Sequence, residues 1–248
     1  MKKTRRLLAL LLAMGMMLAL TVTAGAEEVT TTAAKNEITV IYTNDVHTYI
    51  DKTLSYATVS AMKQDYQKAG KQVLLVDAGD HIQGTAYGGM DEGKTIVQLM
   101  NAAGYDIATL GNHEFDYGMA RALATVKEAE FPYVSCNFYH EKNGVAGDPV
   151  LESYKVFDMN GTKVAFVGIT TPESFTKSTP AYFQDANGKY IYGIAAGKDG
   201  AALYAAVQKA IDAASKEADY VIALGHLGDD PSSQPWTSEE VIAHSTGL

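Results

Sequence analysis

The chain has 248 residues, 47% of them apolar and 20% charged, which is enough for one large α/β domain or two small ones. Its net charge of −9 argues against a nucleic-acid polymer or an anionic membrane as partner, because both are bound through Lys and Arg. The single cysteine, Cys136, excludes an intramolecular disulfide; at a strand end, in Tyr-Val-Ser-Cys-Asn, it reads as a packing residue.

Lys2, Lys3, Arg5 and Arg6 precede the apolar run Leu7 to Val22, and Ala24-Gly25-Ala26 supplies a small-x-small cleavage site. Residues 1–26 read as a cleaved export signal, with an uncleaved membrane anchor as the alternative because the run is long. It contains no cysteine, so a lipid anchor at this end is excluded. Cleavage would remove four basic residues and no acidic one, taking the net charge from −9 to −13. The expected location is secreted or in the cell envelope, without stable membrane insertion. A phosphate substrate would need positive charge from outside so acidic a chain, and metal ions are the obvious source.

Residues 27–37, rich in Thr, Ala and Glu, read as a flexible leader. Order is expected from Ile38, where apolar strands begin to alternate with helical stretches, the α/β signature. Ile38 to Tyr42 is a strand, Leu54 to Ala69 a helix closed by Gly70, and Val73 to Val76 a strand covered on both faces. Lys94 to Ala103 is a helix closed by Gly104, Ile107 to Leu110 a strand, Met119 to Ala129 a helix and Tyr133 to Cys136 a strand. Two strand-like runs then flank Asn160-Gly161, a strong hairpin signal that makes the sheet arrangement mixed. Residues 172 to 198 read as loop, with Asn187-Gly188 a second hairpin tip. Ala201 to Lys216 has helical spacing, and Tyr220 to Leu224 is another buried strand.

Four polar clusters each follow an apolar strand: Asn44-Asp45-Val46-His47, Gly79-Asp80, Gly111-Asn112-His113-Glu114-Phe115-Asp116 and Gly225-His226. Ligands of open α/β sheets bind beyond the carboxyl ends of strands. Asp45 to Asp80 is 35 residues and Asp80 to Asn112 is 32, each about one βαβ unit, which returns the chain to the same edge. The clusters are therefore expected to converge. Their Asp, Asn and His side chains, with no thiolate, suit hard or borderline divalent metals, and a carboxylate such as Asp80 can bridge two ions. Asp45-x-His47 or Gly79-Asp80 alone would be ordinary turn chemistry; the four together are specific.

With Tyr42 to His47, Gly79 to Thr85, Leu110 to Asp116, Cys136-Asn137, Val164 to Thr170 and Ala223 to Gly228, the chain resembles the calcineurin-like metallophosphoesterase superfamily. Within it, the resemblance is to the 5′-nucleotidase/UDP-sugar hydrolase family. That resemblance implies a four-layer αββα sandwich of two mixed sheets. It also implies two divalent metal ions (Zn, Mn, Mg or similar), with Asp45 and His47 on the first, Asn112 and His226 on the second, and Asp80 bridging. His113 and Asp116 would be the catalytic pair, and a metal-activated water the nucleophile. The substrate would be a small nucleotide: a nucleoside monophosphate, a UDP-sugar or, as an alternative, a 2′,3′-cyclic nucleotide. A catalytically incompetent metal-binding scaffold is the rival reading.

The family pattern also requires a later Asp-Gly-His-x-His, and the chain stops at Thr246-Gly247-Leu248. Residues 38–248 are thus expected to be a metallophosphoesterase domain lacking its last strands and the base-binding C-terminal domain. On that expectation two ligand histidines are missing and the chain as given is inactive. His81, His140 and His244 are left as solvated loop or surface residues, and Trp236 as loop packing.

Overall fold

The structure, a computed structural model, describes residues 37–52 and 54–248; the export signal and most of the leader read from the sequence lie outside the described residues. The first half is a parallel βαβ arrangement. β1 (Ile38–Thr43) leads through α1 (Tyr56–Lys68) to β2 (Gln72–Asp77). α2 (Ala86–Gly89) and α3 (Lys94–Ala103) then lead to the short β3 (Ile107–Ala108). Strand order is β1-β2-β3, with Ile38 opposite Gln72 and Val76 opposite Ile107. Ser55 caps α1 by accepting the Thr58 N–H, and Gly104 ends α3 at φ +80, a conformation that glycine adopts without steric cost. α4 (Met119–Glu128) follows a single 3-10 turn over His113–Phe115.

The second half opens with a hairpin of β4 (Phe138–Lys142) and β5 (Val145–Pro149), turning at Asn143 (φ 57) and Gly144 (φ 76). A second hairpin pairs β6 (Tyr154–Met159) with β7 (Thr162–Ile169) through Asn160 (φ 54) and Gly161 (φ 92), as the Asn-Gly signal requires. α5 (Ser174–Lys177), a 3-10 turn at Pro180–Phe183 and β8 (Tyr192–Ile194) occupy the stretch expected to be loop. It is structured because Phe183 is wholly buried, its ring 4.9 Å from that of Phe115 and 4.4 Å from that of Phe175. α6 (Ala201–Ala214), β9 (Tyr220–Gly225) and α7 (Ser238–Ala243) complete the chain.

Side-chain alternation along β2 and β7 fixes the layers. Leu74 and Val76 point to one side and meet Val164 and Phe166 of β7 and Leu224 of β9. Leu75 points to the other side, onto Tyr56, Ile96 and Met100 of the helices. Ala165, Val167 and Ile169 of β7 face Leu203, Val207 and Ile211 of α6. The order is helices, sheet, sheet, helix: an αββα sandwich. The β6-β7-β9 sheet is mixed, whereas the β1-β2-β3 sheet is parallel in its described strands. β5-β4-β8 forms a third, antiparallel sheet.

The segment expected as a fourth strand, Tyr133 to Cys136, is instead a seam between the facing sheets. It makes single bridges from Tyr133 to Ala108 and from Val134 to Glu152, and the Cys136 N–H donates to Gly168 O at 2.8 Å. A Cβ on Gly168 would lie 2.1 Å from Val134 O, so only glycine admits this approach.

Candidate active site

The loops after β1, β2, β3 and β9 open at the same edge of the sandwich. The β1 loop is zipped to the β2 loop by backbone bonds, Asp45 N–H to Gly79 O at 3.1 Å and His47 N–H to Asp80 O at 2.9 Å. Asp45 (φ 53), His47 (φ 45), Thr48 (φ 59) and Asp80 (φ 60) all hold left-handed backbone without being glycine. Such conformations cost energy and persist where the surroundings enforce them, often at functional sites.

Asp45, His47, Asp80, Asn112, His113 and His226 all line one cleft of about 290 Å³, together with Thr171, Glu173, Lys177, Leu227 and Gly228. The buried Asp80 is its centre. Its Oδ1 accepts the His113 N–H at 2.8 Å, and its Oδ2 lies 3.2 Å from His226 Nε2 and 3.9 Å from His47 Nε2. His47 Nε2 is also 3.4 Å from Asp45 Oδ1. Both of these imidazoles are turned by their other nitrogen: His226 Nδ1 bonds Ala78 O and His47 Nδ1 bonds Gln83 O, each at 3.0 Å. An Nδ1–H donated to a carbonyl leaves Nε2 as the free coordinating atom, the usual orientation of a metal-ligating histidine. His113 differs, because its Nδ1 bonds Asp116 Oδ2 at 2.6 Å.

Burial alone would lower the His226 pKa, but the bond and charge of Asp80 outweigh it and bring it up to about 9. For Asp80, burial is likewise outweighed, by His226 and the His113 N–H, and its pKa falls. Carboxylates and imidazole nitrogens aimed at one another form a donor set for a cation. Asp45, Asp80 and His226 offer ligand atoms within 4.8 Å of one another, as do His47, Asp80 and His113. These groupings cross the division expected from the sequence, where Asp45 goes with His47 and His226 with Asn112.

Beneath the cleft lies a buried polar layer that sequence reasoning missed. His81 is not a solvated loop residue: it is fully buried, bonded through Nδ1 to Asp77 Oδ1 at 2.8 Å and through Nε2 to Tyr133 Oη at 2.7 Å. Burial would depress its pKa, but the Glu114 and Asp77 carboxylates bring it up to about 9. Asp77 also accepts from the Gly79 N–H at 2.9 Å and Thr43 Oγ1 at 2.6 Å. Glu114 accepts the N–H groups of Asp80, His81 and Gly111. The one sequence signal for this layer was the Glu embedded in Gly-Asn-His-Glu-Phe-Asp.

The readings of His140, His244 and Trp236 hold. His140 and His244 are exposed, and half-buried Trp236 packs on the α6 core and donates Nε1–H to Gly197 O at 3.0 Å. Burial pushes the Cys136 thiol up to about 12. A larger groove of about 870 Å³ beside β1, lined by Tyr42, Tyr49, Leu54 and Met62 among others, includes Asp45 but none of the site histidines. The cation donor set therefore lines the smaller cleft.

This sandwich, with its donor set at the strand ends, defines a calcineurin-like phosphoesterase domain. Residues 77–246, more than half of the chain, match the family model described as Bacterial capsule synthesis protein PGA_cap, and the chain belongs to that family. Its curated relatives include several 5′-nucleotidases, in agreement with the resemblance read from the motifs. It is 34% identical over 164 residues to the snake venom 5′-nucleotidase of Gloydius brevicauda, covering 60% of this chain and 28% of that protein. To the 5′-nucleotidase of Diplobatis ommata it is 32% identical over 216 residues, 79% of this chain and 34% of that one. The chain thus spans about a third of the length of these relatives. The crystal structure of the calcineurin-like phosphoesterase YfkN from Bacillus subtilis superposes with a TM-score of 0.65 at 26% identity, covering 84% of this chain and 69% of that one. Among the described residues no helix is long and apolar enough to cross a membrane.

Proposed function

We propose that residues 38–248 are the metallophosphoesterase domain of an exported nucleotide phosphohydrolase of the 5′-nucleotidase type. The observation that carries this reading is the convergence of Asp45, His47, Asp80, Asn112 and His226 on one cleft beside the His113–Asp116 pair. Asp45, His47 and Asp80 would hold one divalent ion, and Asp80, Asn112 and His226 a second. Such ions supply positive charge for a phosphate ester and lower the pKa of water.

The chain's own residues do the rest. Asp116 takes the Nδ1–H of His113, fixes the tautomer and turns Nε2 toward the bound ester, where it stabilises charge developing on the phosphoryl oxygens. The carbonyls of Ala78 and Gln83 accept from Nδ1 of His226 and His47 and turn their Nε2 atoms toward the cleft. Lys177, the one Lys or Arg among the cleft-lining residues, sits 3.1 Å from Glu173 and offers a rim charge to an incoming phosphate.

Nucleoside monophosphates are the proposed substrates, with UDP-sugars and 2′,3′-cyclic nucleotides as further members of the panel. The capsule-synthesis description of the matching family names a different role; the Gly-Asn-His-Glu-Phe-Asp loop and the nucleotidase relatives favour ester hydrolysis. The full-length protein, with Mn²⁺, Zn²⁺ or Mg²⁺ added, should release phosphate from nucleoside monophosphates and stop when a chelator is added. No release across the whole panel would refute the substrate class, and unimpaired release in chelator would refute the metal.

A further inference from the structure

Glu114 has no exposed surface, and burying a carboxylate is costly unless its lone pairs are used. Here backbone uses them. Oε2 accepts from Asp80 N–H at 2.8 Å and Gly111 N–H at 2.6 Å; Oε1 accepts from His81 N–H at 2.9 Å and, at 3.4 Å, from Ile82 N–H. These donors come from two loops far apart in sequence. One carries Asp80, the other Asn112 and His113.

The loops are pressed together to the limit of contact. A Cβ on Gly111 would stand 2.1 Å from Asp80 Oδ1, and one on Gly79 would stand 2.4 Å from Gly111 N. Asp80 meanwhile holds φ +60, a left-handed backbone that costs a residue with a Cβ more than it costs glycine. Left alone, this turn would relax and carry the Asp80 carboxylate away from the imidazoles. Charge-assisted bonds from one anion to donors on both loops oppose that relaxation.

We propose that Glu114 is a positioning residue: its carboxylate clamps the Asp80 turn onto the Gly111–His113 turn and sets the spacing between Asp80 and the nitrogens of His226, His47 and His113. The inference rests on the phosphohydrolase reading above and deepens it. Glu114 touches neither substrate nor ion; it acts through Asp80.

The test is Mn²⁺ affinity of the full-length protein by calorimetric titration, with far-UV circular dichroism and melting temperature measured in parallel. Glu114→Gln keeps the volume but turns one oxygen into an NH₂ facing two N–H groups from which it cannot accept. It should stay folded and bind Mn²⁺ about 10–100-fold more weakly, the usual loss for an outer-shell partner. Glu114→Asp, which keeps the anion, should fall between Gln and the parent. Lys63→Met serves as control: it removes a buried cation bonded to Gly104 O and Asp106, outside the cleft, and should lower the melting temperature without changing Mn²⁺ affinity. If the Gln variant does not fold, the comparison of Glu114→Asp with Lys63→Met decides. Parent-like affinity in either folded Glu114 variant would overturn the clamp, and an equal loss in Lys63→Met would reduce Glu114 to a stability residue and overturn it as well. Failure of the full-length parent protein to bind Mn²⁺ would overturn the phosphohydrolase reading, and the clamp with it.

Discussion

His113→Ala separates two roles that the geometry offers the same ring. His113 lines the cleft and falls within one possible ligand group with His47 and Asp80, yet its Nδ1 is committed to Asp116 at 2.6 Å. Its backbone N–H, not its ring, bonds Asp80 Oδ1. Alanine keeps that bond, so Asp80 and the cation donors around it stay in place while only the imidazole is lost. If the ring acts on the phosphoryl group, kcat should fall by at least about 100-fold, roughly 2.7 kcal/mol of transition-state stabilisation. Metal content per folded chain should then remain within about twofold of the parent, since no ligand atom is lost. The assay is phosphate release at saturating metal, with bound metal measured by mass spectrometry on the same preparation. Metal and activity falling in proportion would show that His113 is a ligand, and the proposed division of labour would be wrong.

Asp116→Asn should lower kcat by about 10- to 100-fold at unchanged KM, because the imidazole loses its tautomer lock while the cleft keeps its shape; an unchanged kcat would remove Asp116 from the mechanism. Phe115→Ala should destabilise the domain by about 3–5 kcal/mol in denaturant titrations, since a wholly buried ring leaves its contacts with Phe138 and Phe183, whereas a loss below about 1 kcal/mol would mean that the site collapses freely. Cys136, its thiol held up near 12 by burial, should resist alkylation at pH 8 in the native protein and react on unfolding; rapid native labelling would contradict that environment.

The layers were legible because apolar runs and their stops are local. Val73 to Val76 could only be a strand covered on both faces, and Asn160-Gly161 could only turn a hairpin. The β4–β5 hairpin escaped notice although Asn143-Gly144 is the same signal, because β5 is exposed throughout and has no apolar alternation to mark it. Tyr133 to Cys136 was misread for a different reason: its apolar residues are buried by both sheets, but it pairs with neither beyond single bridges. Of the site, the side chains that reach the cleft were readable from position after a strand. His81 and Asp77 were not, and Glu114 was visible only as a letter of its motif, because what defines all three is backbone from another loop and burial beneath the cleft, and neither leaves a spacing in the sequence.

The seam and the cleft share one dependence. Asp45, Asp80, Asn112 and His113 hang from the parallel sheet, whereas His226 hangs from β9 of the mixed one, and its Nδ1 reaches across to Ala78 at a sequence separation of 148. The cleft therefore exists only when the two sheets are docked, and during synthesis it cannot be complete until β9 has emerged and found its place. Anything that binds there preferentially stabilises the docked arrangement. A cation in the cleft would act as a latch between the halves of the sandwich, and the strength of that latch would report how firmly Leu74, Val76, Phe166 and Leu224 hold the halves together from within.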